Sequence, residues 1–178
     1  TRLIDKIAEK YGLKTYETKV GFKYIAEIMN NEDILLGGEE TGGVAFKGWL
    51  PERDGILSGL LILEMMAHRK KSLAEIIEDI NNEYGSYVYK RFDLKIKKSK
   101  KGKILASLKK KGFKNILGQP VVDVKPYDGF KFIRRDGSWM MIRPSGTEPK
   151  MRIYSEAGSE KEAVRLIDFG RRFLANIK

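Results

Sequence analysis

The chain has 178 residues, 42% hydrophobic and 33% charged, enough for one or two domains with apolar cores and unlike a disordered polymer. Cysteine is absent and His68 is the only histidine, which excludes disulfides, thiolate metal sites and any mechanism needing two imidazoles. A formal charge of +11 directs attention to phosphate-rich partners, either nucleic acid or small phosphorylated metabolites.

Thr1–Lys10 is an amphipathic charged segment rather than a signal peptide, and its stripe Leu3, Ile4, Ile7, Ala8 and Tyr11 predicts a helix ended by Gly12. Leu13–Thr18 reads as a strand, and Phe22, Ile25, Ala26 and Met29 give a second helical face. The short apolar run Ile34–Leu36 predicts a buried strand feeding the loop Gly37–Gly43. Beyond it, Ile56–His68 is apolar nearly all round, which predicts a deeply buried helix with Asp54 as its N-cap. Its core, Leu57–His68, is the nearest approach to a membrane span and is too short for one. A cytoplasmic location is therefore expected. Ser72 and Glu75 have capping-box spacing and open a helix closed by Gly85. The first half thus alternates helix and strand, an α/β architecture.

Tyr87–Ile96 alternates like a strand. The run Lys95–Lys114 follows, read as a solvated connector plus a lysine-rich helix around Ile104–Lys111. A nucleic-acid patch is the alternative, weakened because Phe113 is its only aromatic residue. Strands are expected at Val121–Tyr127, Phe130–Arg134, Trp139–Arg143 and Met151–Ser155. Asp128-Gly129 and Asp136-Gly137 supply the turns between them. Ser159 and Glu162 launch a last helix reaching about Ile177. The second half is α+β, a small antiparallel sheet covered by helices. The division predicted is 1–96 and 97–178.

Two loops carry chemistry. Gly37-Gly-Glu-Glu-Thr-Gly-Gly43 combines backbone freedom with two carboxylates, which repel phosphate but accept hydrogen bonds from neutral sugar hydroxyls. Strand alternation would turn Glu39 and Thr41 the same way and Glu40 the other. A plain surface turn with solvated glutamates is the competing reading. Arg143-Pro-Ser-Gly-Thr147 is followed by Glu148-Pro149 and Arg152. It has the donors of a phosphate clamp: two guanidinium forks, the hydroxyls of Ser145 and Thr147, and Gly146 where backbone can approach. A proline turn with a structural arginine competes. Lys23 and Arg53 are candidate ligand contacts or merely solvated, Trp49 and Trp139 are candidate core residues, and His68 is a capping residue.

The segments VGFKYI, GGEETGG, LPERDGILSGLLILEMMA and IRPSGTEPKMRIYSEA, in that order, resemble the α-D-phosphohexomutases, the phosphoglucomutase and phosphomannomutase family. The resemblance spans nearly the whole chain. It implies family domains 3 and 4: a sugar-recognising α/β domain, expected to lack its first strand, and an α+β domain of TATA-binding-protein type. Glu39 and Thr41 would then contact sugar hydroxyls, and Arg143, Ser145, Gly146, Thr147 and Arg152 would hold the idle phosphate. Lys23 and Arg53 would be basic active-site residues. The implied reaction moves phosphate between positions 1 and 6 of a hexose, using magnesium, a phosphoserine and a glucose 1,6-bisphosphate-type activator. No Ser-His-Asn-Pro or Asp-Gly-Asp-x-Asp-Arg segment is present, so neither catalytic nor metal residues are expected in this chain. Its partners would be hexose phosphate and the missing domains 1 and 2, with no nucleic acid or membrane.

Overall fold

The computed structural model describes residues 1–177. Helix α1 (Arg2–Lys10) starts at Thr1, whose hydroxyl accepts the Leu3 N–H, and Gly12 follows its end at φ 64°. The Arg2 N–H donates to Glu156 at 2.9 Å and the Lys6 ammonium stands over the Tyr87 ring. Through such contacts α1 groups with the chain from Gly85 onward, while Gly12–Tyr84 forms a separate unit.

Within Gly12–Tyr84 the elements are α2 (Phe22–Asn31), β1 (Leu36–Gly38), β2 (Val44–Phe46), α3 (Gly55–Arg69) and α4 (Leu73–Tyr84). Strands β1 and β2 form an antiparallel hairpin with Leu36 opposite Phe46 and Gly38 opposite Val44. Gly37 is required where it stands, because a Cβ there would collide with Ile25 and Met29 of α2. Asp54 caps α3 by accepting the Leu57 N–H at 2.8 Å. The capping box of α4 is reciprocal: Ser72 N–H donates to Glu75 at 2.8 Å and Glu75 N–H donates to the Ser72 hydroxyl at 3.3 Å. The Ser72 hydroxyl, which donates to the Glu75 carboxylate at 2.6 Å, and then the Ser72 N–H hold that carboxyl below the usual carboxylate range.

Two expectations fail here. Leu13–Thr18 is not a strand, because no other strand among the described residues pairs its backbone. Its side chains are fixed locally instead: Tyr16 donates to Glu32 at 3.1 Å and Lys14 stands over the Tyr16 ring. Helix α3 is present but carries no buried residue, and Ile56, Leu60 and Leu63 are 81%, 59% and 62% exposed. A hairpin of three-residue strands is too small to cover a helix that is apolar all round. His68 is also exposed, with only Glu64 4.0 Å away.

The rest of the chain supplies β3 (Val88–Lys95), α5 (Lys100–Lys111), β4 (Asn115–Ile116), β5 (Gln119–Lys125), β6 (Phe130–Arg134), β7 (Trp139–Pro144), β8 (Lys150–Ala157) and α6 (Glu160–Ala175). All strand pairs are antiparallel, in the order β3-β8-β7-β6-β5-β4. β3 pairs with β8 along its whole length, Val88 opposite Ala157 and Lys95 opposite Lys150. β3 is thus an edge of this sheet, in the unit that takes in α1 and the chain from Gly85 onward. The Asp136-Gly137 turn obeys its signal, whereas at Asp128-Gly129 it is Asp128 that takes the positive φ, 52°. Arg134 N–H donates to Ser138 at 2.8 Å, Gly137 N–H to Arg134 at 3.0 Å, and Gly137 has φ 83°, a three-residue hairpin loop closed by a left-handed glycine.

Period-two alternation divides this sheet into two faces. Phe132, Met140, Ile142, Met151 and Ile153 face α5 and α6, where Ile104, Leu108, Leu166 and Leu174 complete the core. Helix α6 buries Ala163, Leu166, Ile167, Gly170 and Leu174, the spacing of one helical stripe. Its Ser159 cap accepts the Glu162 N–H at 3.3 Å. The reciprocal half of that box is not made, because the Glu162 carboxylate reaches Arg134 instead, at 2.8 Å.

The other face carries Trp139, Tyr154 and Ile133 with the charged residues Arg143, Arg152, Asp93 and Arg91. Gly129 lies against this region. A Cβ on it would strike the Ile142 carbonyl oxygen and the Arg143 backbone, which cannot swing aside. Gly129→Ala should therefore cost about 1–3 kcal/mol of stability, read from the denaturant midpoint, and should also displace Arg143.

Candidate functional site

The segment 145–149 joins β7 to β8, so the strand geometry places Arg143 before it and Arg152 after it, directly opposite one another in the register. Backbone and side chains of the loop bond one another closely. Ser145 N–H donates to Lys150 at 2.9 Å, Lys150 N–H donates to Glu148 at 2.8 Å, and Glu148 N–H donates to the Ser145 hydroxyl at 3.2 Å. Ser145 is 2% exposed, so its side chain shapes the loop from inside rather than standing at its tip. Gly146 and Thr147 are the exposed tip. Among the described residues their N–H groups donate to no protein acceptor, and nothing lies within 4 Å of where a Gly146 Cβ would be.

Arg143 is 9% exposed, and its Nε donates to the Tyr154 hydroxyl at 3.1 Å. Among the described residues no carboxylate pairs with it, so its two terminal nitrogens remain available to an anion. A buried guanidinium without a counter-charge is costly, and a dianion arriving at the loop would supply one. Tyr154 is 4% exposed, and the guanidinium carbons of Arg143 on β7 and Arg91 on β3 each lie 5.7 Å from its ring centre.

Arg152 differs. It bonds Glu148 at 3.2 Å and lies 3.7 Å from Asp93, and its buried Nε has no hydrogen-bond partner. Asp93 is itself held below the ordinary aspartate range, first by its hydrogen bonds from Arg91 at 2.9 and 3.0 Å. Glu148 is likewise held below the usual range, chiefly by the hydrogen bond from Lys150 at 2.7 Å. Arg152, unlike Arg143, is therefore already flanked by two carboxylates. An open hollow of about 650 Å³ borders the loop, lined by Lys95, Ile96, Lys97, Glu148, Pro149 and Lys150.

In the Gly12–Tyr84 unit, Glu39–Gly43 is the turn of the β1–β2 hairpin. Glu39 N–H donates to Gly43 and Gly42 N–H to Glu39, both at 3.0 Å, with Gly42 at φ 90°. Strand alternation does not run through a turn, so Glu39 and Thr41 are not aligned as expected: Glu39 is partly buried while Glu40 and Thr41 are exposed. Glu39 lies 3.4 Å from Arg53, which also bonds Glu52 at 3.0 Å and crosses the Phe22 ring. Gly43 makes room for this, since a Cβ there would meet the Arg53 side chain at 2.5 Å. Lys23 is exposed and stands over the Tyr24 ring. Glu39 and Arg53 are thus brought together, and neither Thr41 nor Lys23 joins them. Trp49 is exposed, its indole donating to Asp54 at 3.2 Å, whereas Trp139 is buried and donates to Glu156 at 3.1 Å.

The chain thus combines an α/β unit bearing an acidic hairpin with a helix-covered antiparallel sheet bearing a donor-rich loop. Residues 1–84 match the model of phosphoglucomutase/phosphomannomutase α/β/α domain III, and residues 93–171 match that of the C-terminal domain of the same proteins. The chain belongs to the phosphoglucomutase/phosphomannomutase family. It is 34% identical over 98% of its length to a phosphoglucomutase/phosphomannomutase of Thermococcus kodakarensis, covering 36% of that protein. It is 34% identical over 94% of its length to a phosphoglucosamine mutase of Methanococcus maripaludis, covering 35% of it. Among solved structures, the open form of Paramecium parafusin, a phosphoglucomutase, superposes with a TM-score of 0.82 at 27% identity, over 98% of this chain and 36% of that one. The chain spans about a third of the length of these relatives.

Proposed function

We propose that this chain is the carboxy-terminal part of a phosphohexomutase, an isomerase of carbohydrate metabolism acting in the cytoplasm on hexose 1- and 6-phosphates. The single observation that carries the reading is Arg143, buried and unpaired by any carboxylate among the described residues, on the strand that leads into a loop whose Gly146 and Thr147 N–H groups donate to no described protein acceptor. Such donors match a phosphate that must be held but not attacked. Glu39 supplies a partly buried acceptor for sugar hydroxyls, with Arg53 beside it, while Thr41 and Lys23, exposed and not joined to that pair, are the further contacts of the reading. Binding energy gathered this way, away from the reacting atoms, positions the sugar for chemistry.

The chain's residues do not fit the magnesium ion implied by the family. Among the described residues no three His, Asp or Glu side chains gather in one place. Magnesium, the phosphorylated serine and the bisphosphate-type activator belong, in this reading, with domains 1 and 2 as partners. No helix among the described residues is long and apolar enough to cross a membrane. No observation favours the nucleic-acid alternative.

Two measurements follow. In a coupled assay with glucose 1-phosphate and magnesium, the chain alone should show no turnover, and the same chain joined to domains 1 and 2 of the Thermococcus relative should show it. Magnesium-dependent turnover by the chain alone would overturn the division of labour. Tyr154→Phe keeps the ring but removes the acceptor of the Arg143 Nε–H. It should weaken glucose 1-phosphate binding about five- to tenfold, near the worth of one ordinary hydrogen bond, with little change in melting temperature.

A further inference from the structure

Most lysines of Lys95–Lys114 fit the solvated reading, but Lys101 does not. It lies at i−3 and i−7 from the buried Ile104 and Leu108, so it heads the inward stripe of α5. Its ammonium donates to the Ser145 carbonyl at 2.6 Å and to the Glu148 carbonyl at 2.7 Å, the two ends of the loop. We infer that Lys101 is a positioning residue of the anion site, acting through the loop backbone and resting on the phosphate-binding reading above.

The reason is peptide planarity. In a trans peptide the C=O of one residue and the N–H of the next point in opposite directions, and no cis bond occurs among the described residues. Drawing the Ser145 carbonyl towards α5 therefore aims the Gly146 N–H away from α5, where no protein group meets it. The same ammonium holds Glu148 in place while that residue's N–H bonds Ser145. One buried-side cation thus fixes both ends of the bend, and it places positive charge behind the donors it orients.

The test is a phosphorus-31 titration of inorganic phosphate against the chain and two charge-matched variants, Lys101→Met and Lys109→Met. Lys109 lies on the same helix and is exposed, so its loss removes equal net charge without touching the loop. Lys101→Met should weaken phosphate at least tenfold and Lys109→Met less than twofold. In the ligand-free chain, Lys101→Met should also shift the Gly146 and Thr147 amide resonances. Lys101→Gln, which keeps a donor, serves if the methionine variant does not fold, and should still lose affinity at least threefold. Equal losses from Lys101→Met and Lys109→Met, or unchanged affinity in both Lys101 variants, would overturn the inference while leaving phosphate binding intact. No phosphate binding by the unaltered chain would instead sink the functional reading itself.

Discussion

Arg143→Ala lowers the affinity of the chain for glucose 1-phosphate about 100-fold, or roughly 3 kcal/mol, the scale of removing one partner from a buried charged contact. The guanidinium is 9% exposed and, among the described residues, is bonded through Nε to Tyr154 and paired with no carboxylate, so its terminal nitrogens stay open to an anion. Alanine removes both the charge and the fork. Arg143→Lys keeps the charge on a single point and should recover about tenfold of the loss at most, since an ammonium does not reproduce a two-pronged contact. Stability should fall little or rise in Arg143→Ala, because a buried cation without a carboxylate costs free energy in the unliganded chain. Calorimetric titration together with thermal melts separates the two effects. Full affinity in Arg143→Ala would remove this residue from the site.

The second large effect concerns a buried cation of opposite purpose. Arg134 is 1% exposed and satisfied on all sides: Ser138 hydroxyl at 2.6 Å, Ile116 carbonyl at 3.3 Å, Asp136 at 3.0 Å and Glu162 at 2.8 Å. The pair of carboxylates ties the β6–β7 turn to the first turn of α6. Asp136→Asn with Glu162→Gln keeps the shapes but leaves the guanidinium without counter-charge. The expected loss is about 3 kcal/mol, seen as a fall of roughly 10 °C in melting temperature. Adding Arg134→Met to that pair should restore most of the stability, since the stranded charge is then gone. A double variant as stable as the unaltered chain would contradict this role.

Much of the sheet-bearing unit was legible in the sequence because its signals are local. Asp136-Gly137 dictates a left-handed glycine, Ser159 caps α6, and the alternation through Trp139–Arg143 and Met151–Ser155 separates the faces. Arg143 could be picked out because its loop packs guanidinium, hydroxyls and glycine into five residues. Tyr154 could not, since nothing local says that its hydroxyl reaches Arg143; only the antiparallel register brings the two close. Lys101 was hidden for a different reason. Composition makes the run look uniformly solvated, and the one clue was its position at the head of the Ile104–Leu108 stripe. Leu13–Thr18 was misread because a strand is defined by its neighbour as much as by its own residues. Helix α3 was misread because an apolar surface records a need for burial, not its fulfilment. Glu39 and Thr41 were expected to align by strand alternation, which the tight turn at Gly42 cancels.

The most direct test is an amide map of the chain during titration with glucose 1-phosphate, set against one with glucose. Sugar phosphate should move the Gly146 and Thr147 resonances and the Arg143 Nε signal most, and glucose should leave all three in place. Perturbation spread along Lys95–Lys114, with those three signals still, would mean that a diffuse basic surface and not the bend after β7 receives the anion.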